Sequence, residues 1–280
     1  MIRHLTIGNQ HFDLSRSIVM GILNTTPDSF SDGGRFDLVE TAVEHALRME
    51  REGADIIDIG GESTRPGAQA VTVNEELERV IPVIRVLRKQ TTIPISIDTS
   101  KPEVMQAAVE AGADMVNDVN ALRAPGALEA ARASAVPVCL MHMHGDPRTM
   151  QADPHYADVV AEVKTFLLQR VAACEAAGIG RQRLLLDPGF GFGKTVEHNL
   201  QLLARLEELA ATGLPVVVGL SRKSMIGKLL GLDIAGRLPA SIALAVLAVE
   251  RGARLVRAHD VAATWQAVQM QAAVQRVQQR

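Results

Sequence analysis

Aromatic side chains are scarce in this sequence, with one Trp, one Tyr and six Phe among 280 residues. Few platforms remain on which bases could stack, and a net charge of -3 supplies no basic field, so nucleic acid is not an expected partner. Cysteine is nearly absent. Cys139 and Cys174 stand alone, without CxxC or other metal-ligand spacing, and read as reduced core thiols. Long apolar runs are missing too: the longest, Ile242 to Val249, is too short to cross a bilayer, and no membrane partner is expected. Arg3, His4, Asp13 and Arg16 interrupt the stretch from Met1 to Ser17, which excludes a signal-peptide core. The resulting expectation is a soluble, cytoplasmic enzyme.

Phosphate-loop fingerprints also fail. The run Asp187-Pro188-Gly189-Phe190-Gly191-Phe192-Gly193-Lys194 invites a nucleotide-binding reading. A GxxxxGK[ST] motif ending at Thr195 needs glycine at 188, where proline stands, and GxGxxG fails because Gly189, Gly191 and Gly193 alternate. What precedes the glycines is more informative. Leu184-Leu185-Leu186 is a short buried-strand signal, and it delivers Asp187 to its C-terminal end.

That event recurs along the chain. After a polar lead-in, Ile18 to Leu23 reads as a buried strand ending at Asn24, followed by a turn-rich loop through Gly34 and a helix with Asp37 and Glu40 as its capping box. Asp55 to Ile59, Ile93 to Ile97, Asp114 to Val116, Val136 to Met141, Val216 to Leu220 and Arg254 to Val256 supply further strands. Between them lie helices: one from about Asn74 with a Thr72/Glu75 box and a kink expected at Pro82, one capped by Ser100 and Glu103, and one from Tyr156 to Ala177. Gly53 and Gly112 are placed to end helices in a left-handed conformation. Eight parallel strands joined by helices close into a (β/α)8 TIM barrel, and no linker divides residues 1–280, so a single domain is expected.

In such a barrel the C-terminal strand ends meet at one mouth, where chemistry is done. Here they carry Asn24, Asp58, Asp98, Asn117, His142, Asp187, Lys223 and His259, with Arg65 and Arg257 close by. Semi-buried acids cost several kcal/mol unless something hydrogen-bonds to them, so the acids suggest a ligand rich in N–H donors. Arg65, Lys223, Arg257 and His259 lie on loops two, seven and eight, and the last two loops often bind phosphate. For Arg65 or Arg257 taken alone, a salt bridge to a neighbouring acid fits as well as an anion site. His142 and His144 would point the same way on an alternating strand, but no third metal-ligand spacing accompanies them. The residues alone therefore describe a flat, donor-rich heterocycle held by carboxylates beside an anionic group.

Over nearly its full length the sequence resembles the dihydropteroate synthase family. The resemblance is carried by Gly21 to Gly34, Gly60 to Gly67, Asp187 to Lys194, Ser221 to Gly227 and Arg257-Ala258-His259, in order. Thr25 departs from the pattern, standing where the family usually has an aliphatic residue. The resemblance implies condensation of 6-hydroxymethyl-7,8-dihydropterin diphosphate with 4-aminobenzoate, giving dihydropteroate and diphosphate, by a homodimeric enzyme that is a sulfonamide target. By motif position, Asp98, Asn117, Asp187 and Lys223 would hold the pterin. Asn24, Arg65, Arg257, Ala258 and His259 would hold the diphosphate, and Asn24 would also offer an oxygen to Mg²⁺. Phe30, Thr64, Pro66, Phe192 and Ser224 would form the aminobenzoate pocket, with Asp32, Arg65 and Lys223 assigned to catalysis. The implied mechanism is dissociative, with diphosphate leaving before the aryl amine captures a pterin cation, and loops one and two closing over the site. A methyltetrahydrofolate methyltransferase barrel would share the pterin acids but not the full set of loop motifs. A catalytically silent pterin-binding protein is the other alternative.

Overall fold

Eight of the apolar runs form parallel strands that hydrogen-bond in a closed ring. These are β3 (Ile18–Asn24), β4 (Ile56–Gly60), β5 (Ile95–Asp98), β6 (Met115–Asp118), β7 (Val138–Met141), β8 (Leu184–Asp187), β9 (Val216–Val218) and β10 (Ala253–Ala258), with β10 pairing back onto β3. This (β/α)8 barrel comes from a computed structural model that describes residues 2–26, 35–63, 69–145 and 149–278. Around it lie α1 (Arg35–Arg51), α2 (Val73–Arg88), α3 (Pro102–Ala111), α4 (Ala127–Ser134), α5 (Val159–Ala176), α6 (Val196–Ala204), α7 (Glu207–Ala210), α8 (Ser224–Leu230), α9 (Leu238–Glu250) and α10 (Val261–Gln278).

Strand periodicity sorts the barrel residues into two sets. Side chains at i and i+2 share a face, so one phase of each strand points at the helices and the other into the barrel. Val19, Ile57, Ile97, Val116, Leu140 and Leu186 belong to the outward set and join the large core beneath the helices. Met20, Ile56, Met115, Cys139, Leu185, Val217 and Leu255 form an inward layer near the N-terminal ends of the strands. That layer is sealed from below by a hairpin, β1 (His4–Ile7) and β2 (Gln10–Asp13), whose Leu5, Ile7, Phe12 and the following Leu14 all pack into it.

The hairpin occupies what the sequence reads only as a polar lead-in. Its strands have only four residues each, with one face wet, so the apolar pattern is thin. Two helix starts also differ. α1 already begins at Arg35, which puts Asp37 inside the helix rather than ahead of it. In α3 the N-cap is Lys101, without a side-chain cap, and Pro102 at the first turn sets the start instead of Ser100. The Thr72/Glu75 capping box is present as expected, and α2 continues past Pro82 to Arg88. Gly53 and Gly112 adopt φ of +102° and +117° after their helices. α5 starts three residues later than read from the sequence, where Asp158 accepts from the Val160 and Ala161 N–H groups.

Candidate active site

Two residues above the sealed apolar layer, the same inward phase turns polar. Met20 leads through Ile22 to Asn24, Ile56 to Asp58, Ser96 to Asp98, Met115 to Asn117, Leu185 to Asp187 and Leu255 to Arg257. The strand ends that the sequence singles out therefore converge because of a period of two. Asp118, one position out of phase, instead accepts from the Asn120 and Leu122 N–H groups, each at 2.7 Å, and stabilises the turn after β6.

Asp98, Asn117, Asp187 and Lys223 line one cleft, together with Arg257, Val119, Met141, Phe190 and Phe192. Counting its open mouth the cleft holds ≈ 320 Å³ of empty space, of which only ≈ 20 Å³ is free cavity volume, and Arg257 and Lys223 both line it. Met141, Phe190 and Val119 supply the apolar walls a planar ring needs. They were missed as site residues because each reads in sequence as ordinary core.

Arg257 is clamped between two acids. Its Nε donates to Asp58 Oδ2 at 2.6 Å and one terminal nitrogen donates to Asp98 Oδ2 at 2.7 Å. Of the two readings left open for Arg257, the structure realises the salt bridge, with the guanidinium lying between Asp58 and Asp98. Asp58 Oδ2 also accepts from Asn117 Nδ2 at 3.2 Å. Asp187 Oδ1 accepts the Gly189 N–H at 2.7 Å.

Burial shifts the charges of this cluster. Desolvation raises the Asp98 carboxyl to about 7, against the lowering effect of Arg257, with Asp58 adding to the rise. Asp187 is raised by desolvation as well, although Gly189 and Lys223 oppose it. Burial pulls the Lys223 ammonium down to about 8 in spite of Asp187. Its Nζ sits over the Phe192 ring, 4.4 Å from the centroid.

His259, expected beside the anion with Arg65, Lys223 and Arg257, does not carry a charge of its own at neutral pH. Desolvation and then the Arg257 charge lower its pKa to about 4, so the ring is neutral near pH 7. Ser221 Oγ accepts the His259 backbone N–H at 3.2 Å and lies 3.1 Å from Nδ1. Ala258 ends β10 with a buried methyl group and contributes no polar side-chain atom; it spaces Arg257 from His259.

His142 and His144 both bring their rings against Tyr156, with centroids 6.1 and 5.6 Å away, although β7 itself ends at Met141. His142 is buried, with Nδ1 2.9 Å from Lys194 Nζ and its ring edge-on to Phe166, while His144 is exposed. Lys194 also donates to the carbonyls of Gly189 and Phe192 at 2.9 Å each, tying down the glycine-rich loop. Glycine is required at 189, with φ of +68°, because a Cβ there would collide with the His142 carbonyl oxygen. The alternating glycines thus serve a tight backbone packing and not a phosphate.

Asn24 is half-buried at the rim, and Thr25 Oγ1 donates to the Gly60 carbonyl at 3.1 Å. The departure at Thr25 therefore ties loop one to β4. Ser224 is exposed in the first turn of α8, near Phe192's partner Lys223. Phe30, Asp32, Thr64, Arg65 and Pro66 lie outside the described residues. Among the described residues, no group of three or more His, Cys, Asp or Glu is placed to hold a metal ion, and no single helix is long and apolar enough to cross a membrane.

Comparison with known proteins bears on this site directly. Residues 20–259 match the family model described as pterin binding enzyme. The chain is 54% identical over 258 residues to the dihydropteroate synthase of Escherichia coli K12, covering 92% of each. A solved Xanthomonas albilineans dihydropteroate synthase with 4-aminobenzoic acid superposes with a TM-score of 0.93 at 56% identity, covering 98% of this chain and 99% of that one. Another structure from that organism, in complex with 7,8-dihydropteroate, gives a TM-score of 0.89 at 54% identity, with coverage of 97% and 98%.

Proposed function

The chain belongs to the dihydropteroate synthase family of pterin-binding transferases, and from that premise we propose that it joins 6-hydroxymethyl-7,8-dihydropterin diphosphate to 4-aminobenzoate. The observation that carries this is the meeting of Asp98, Asn117, Asp187 and Lys223, from separate strand ends, around one cleft. Ionised carboxylates accept only, and the amino-amide edge of a pterin offers N–H donors to match. Lys223 donates to the ring carbonyl, and Met141 and Phe190 cover its faces. Phe192 and Ser224 border the aminobenzoate, joined in this reading by Phe30, Thr64 and Pro66.

At the other end of the substrate, Asn24, Arg65 and the His259 ring would meet the diphosphate, with Ala258 as spacer and Arg257 reaching it from among the acids. Asn24 offers a single hard oxygen, which suits Mg²⁺ only as a shared ligand with substrate phosphates and waters. When bound there, Mg²⁺ neutralises charge on the departing diphosphate. The chain's own groups orient the leaving group and, with Asp32 and Arg65 on loops one and two, exclude water from the methylene carbon. The bond to diphosphate breaks first, the dihydropterin ring delocalises the cation, and the unprotonated aryl amine attacks it without a general base, the new nitrogen then losing its surplus proton to diphosphate or solvent. Sulfonamides, as aminobenzoate mimics, compete for that second pocket.

Diphosphate release on mixing both substrates with Mg²⁺, each omitted in turn, tests the reading. Release with hydrolysed pterin when 4-aminobenzoate is withheld supports the dissociative order. Complete dependence on the amine, with no pterin cation trapped in crystals, contradicts it. Homodimer formation is part of the proposal, supported by exposed Leu229, Leu230, Ile234 and Leu247 around α8 and α9; sedimentation that gives a monomer at all concentrations would remove it. A cytoplasmic location belongs to the same proposal, in keeping with the two buried free thiols.

A further inference from the structure

Asp58 does not line the cleft, yet two groups that do are bound to it. Its side chain is fully buried, and its Oδ2 accepts from both Arg257 Nε and Asn117 Nδ2. Its Oδ1 has no partner among the described residues. From this arrangement we infer that Asp58 is a positioning residue that sets the hydrogen-bond polarity of the pterin cleft by acting through Asn117 and Arg257. The inference rests on the pterin reading given above.

The chemistry is one of orientation. An amide can present either its oxygen or its NH₂ to a ligand, and the choice is set by what its other end meets. A carboxylate behind Asn117 accepts only, so the NH₂ turns towards Asp58 and the carbonyl oxygen is left for the cleft. That oxygen matches a donor-bearing ring edge, as Asp98 and Asp187 do. Arg257 is held in the same way. With Nε on Asp58 and a terminal nitrogen on Asp98, the guanidinium lies between those two acids instead of swinging against Asp187. Losing the Asp58 charge frees both: the amide can reverse and present a donor to donors, and Arg257 can neutralise the acids meant for the ligand.

The near-isosteric Asp58→Asn variant tests this. The probe is 6-hydroxymethyl-7,8-dihydropterin, followed by titration calorimetry alongside the KM for each substrate. We expect pterin affinity to fall about 10- to 100-fold, as for loss of a hydrogen bond to a charged group, while the KM for 4-aminobenzoate stays within about 2-fold. In the Asn117→Ala background the same change should cost less, because one of the two groups it acts through is gone. A purely structural ion pair would lower thermal stability and move both substrates alike. Additive effects, or unchanged pterin affinity in Asp58→Asn, overturn the positioning role while leaving the pterin reading intact. A wild-type protein that does not bind the pterin refutes the reading itself and the inference with it. Should Asp58→Asn fail to fold, Asp58→Glu serves instead: it keeps the charge but moves the carboxylate relative to Asn117 and Arg257. Pterin affinity is expected to fall there with the KM for 4-aminobenzoate held, and unaltered pterin affinity would overturn the proposal.

Discussion

Two layers of the barrel interior, two residues apart on the same strands, are built on opposite principles. The lower one, Met20, Ile56, Met115, Cys139, Leu185, Val217 and Leu255, is apolar and closed by the hairpin. The upper one carries Asp58, Asp98, Asn117, Asp187 and Arg257, with the Asp98 and Asp187 carboxyls raised and Lys223 lowered by burial. Burial of apolar surface stabilises the first, at roughly 25 cal/mol per Å². Burial of charge strains the second, which is what a site must accept to bind a ligand strongly. Stability should therefore respond to changes below, and binding to changes above.

The sharpest test of the lower layer is Phe12→Ala. Removing a buried aromatic from the plug should cost about 3–5 kcal/mol of unfolding free energy in urea, with pterin KM unchanged in the protein that remains folded. A change in KM without loss of stability would break the division. Arg257→Ala is the expected exception in the upper layer. It leaves the fully buried Asp58 carboxylate without its cation, a change worth about 3–5 kcal/mol where such pairs are broken from one side. Because the guanidinium lies among the pterin acids, free pterin alcohol should also bind more weakly, not the diphosphate ester alone.

A third prediction concerns pH. Asp98 titrates near 7 in the folded chain and at its ordinary, lower value once unfolded. Between roughly pH 4 and 7 the folded state thus holds the extra proton, so its contribution to stability is greatest on the acid side and is lost as pH rises. Lys223 has the opposite sign, since its folded pKa near 8 lies below the unfolded one, and raising the pH from about 8 to 10.5 favours the folded state. Urea unfolding of wild type and Asp98→Asn between pH 4 and 7 should show the wild type losing stability relative to the variant; parallel curves would contradict the assignment. The smallest effect is expected for Thr25→Val, which removes one hydroxyl bond to Gly60 and should cost about 1 kcal/mol in thermal unfolding with little change in kcat.

The upper layer was legible in the sequence because strand ends are marked by a change from apolar to polar, as in Leu184-Leu185-Leu186-Asp187. The helix boundaries carried by local chemistry were legible too, such as Thr72 with Glu75 and the left-handed Gly53. What escaped depends on contacts between distant segments. Nothing near Asp58 in sequence announces that it meets Asn117 and Arg257, 59 and 199 residues away. The spacing excludes Lys194 as a phosphate-loop lysine, but nothing in the sequence says that it meets His142, 52 residues away. The hairpin did leave a signal: Gly8-Asn9 between the alternating Leu5, Ile7 and Phe12 is a two-residue turn pattern, with Gly8 at φ of +57°. It was outweighed by the polar residues of the wet face.

The most direct test of the central claim is the shift in melting temperature that a dihydropterin ligand gives wild type and Asp187→Asn, compared at one pH and ligand concentration. The account predicts that the ligand stabilises wild type and leaves Asp187→Asn almost unmoved, because an acceptor facing a donor edge has become a donor, while the unliganded variant melts no lower than wild type. Equal stabilisation of both proteins would contradict it.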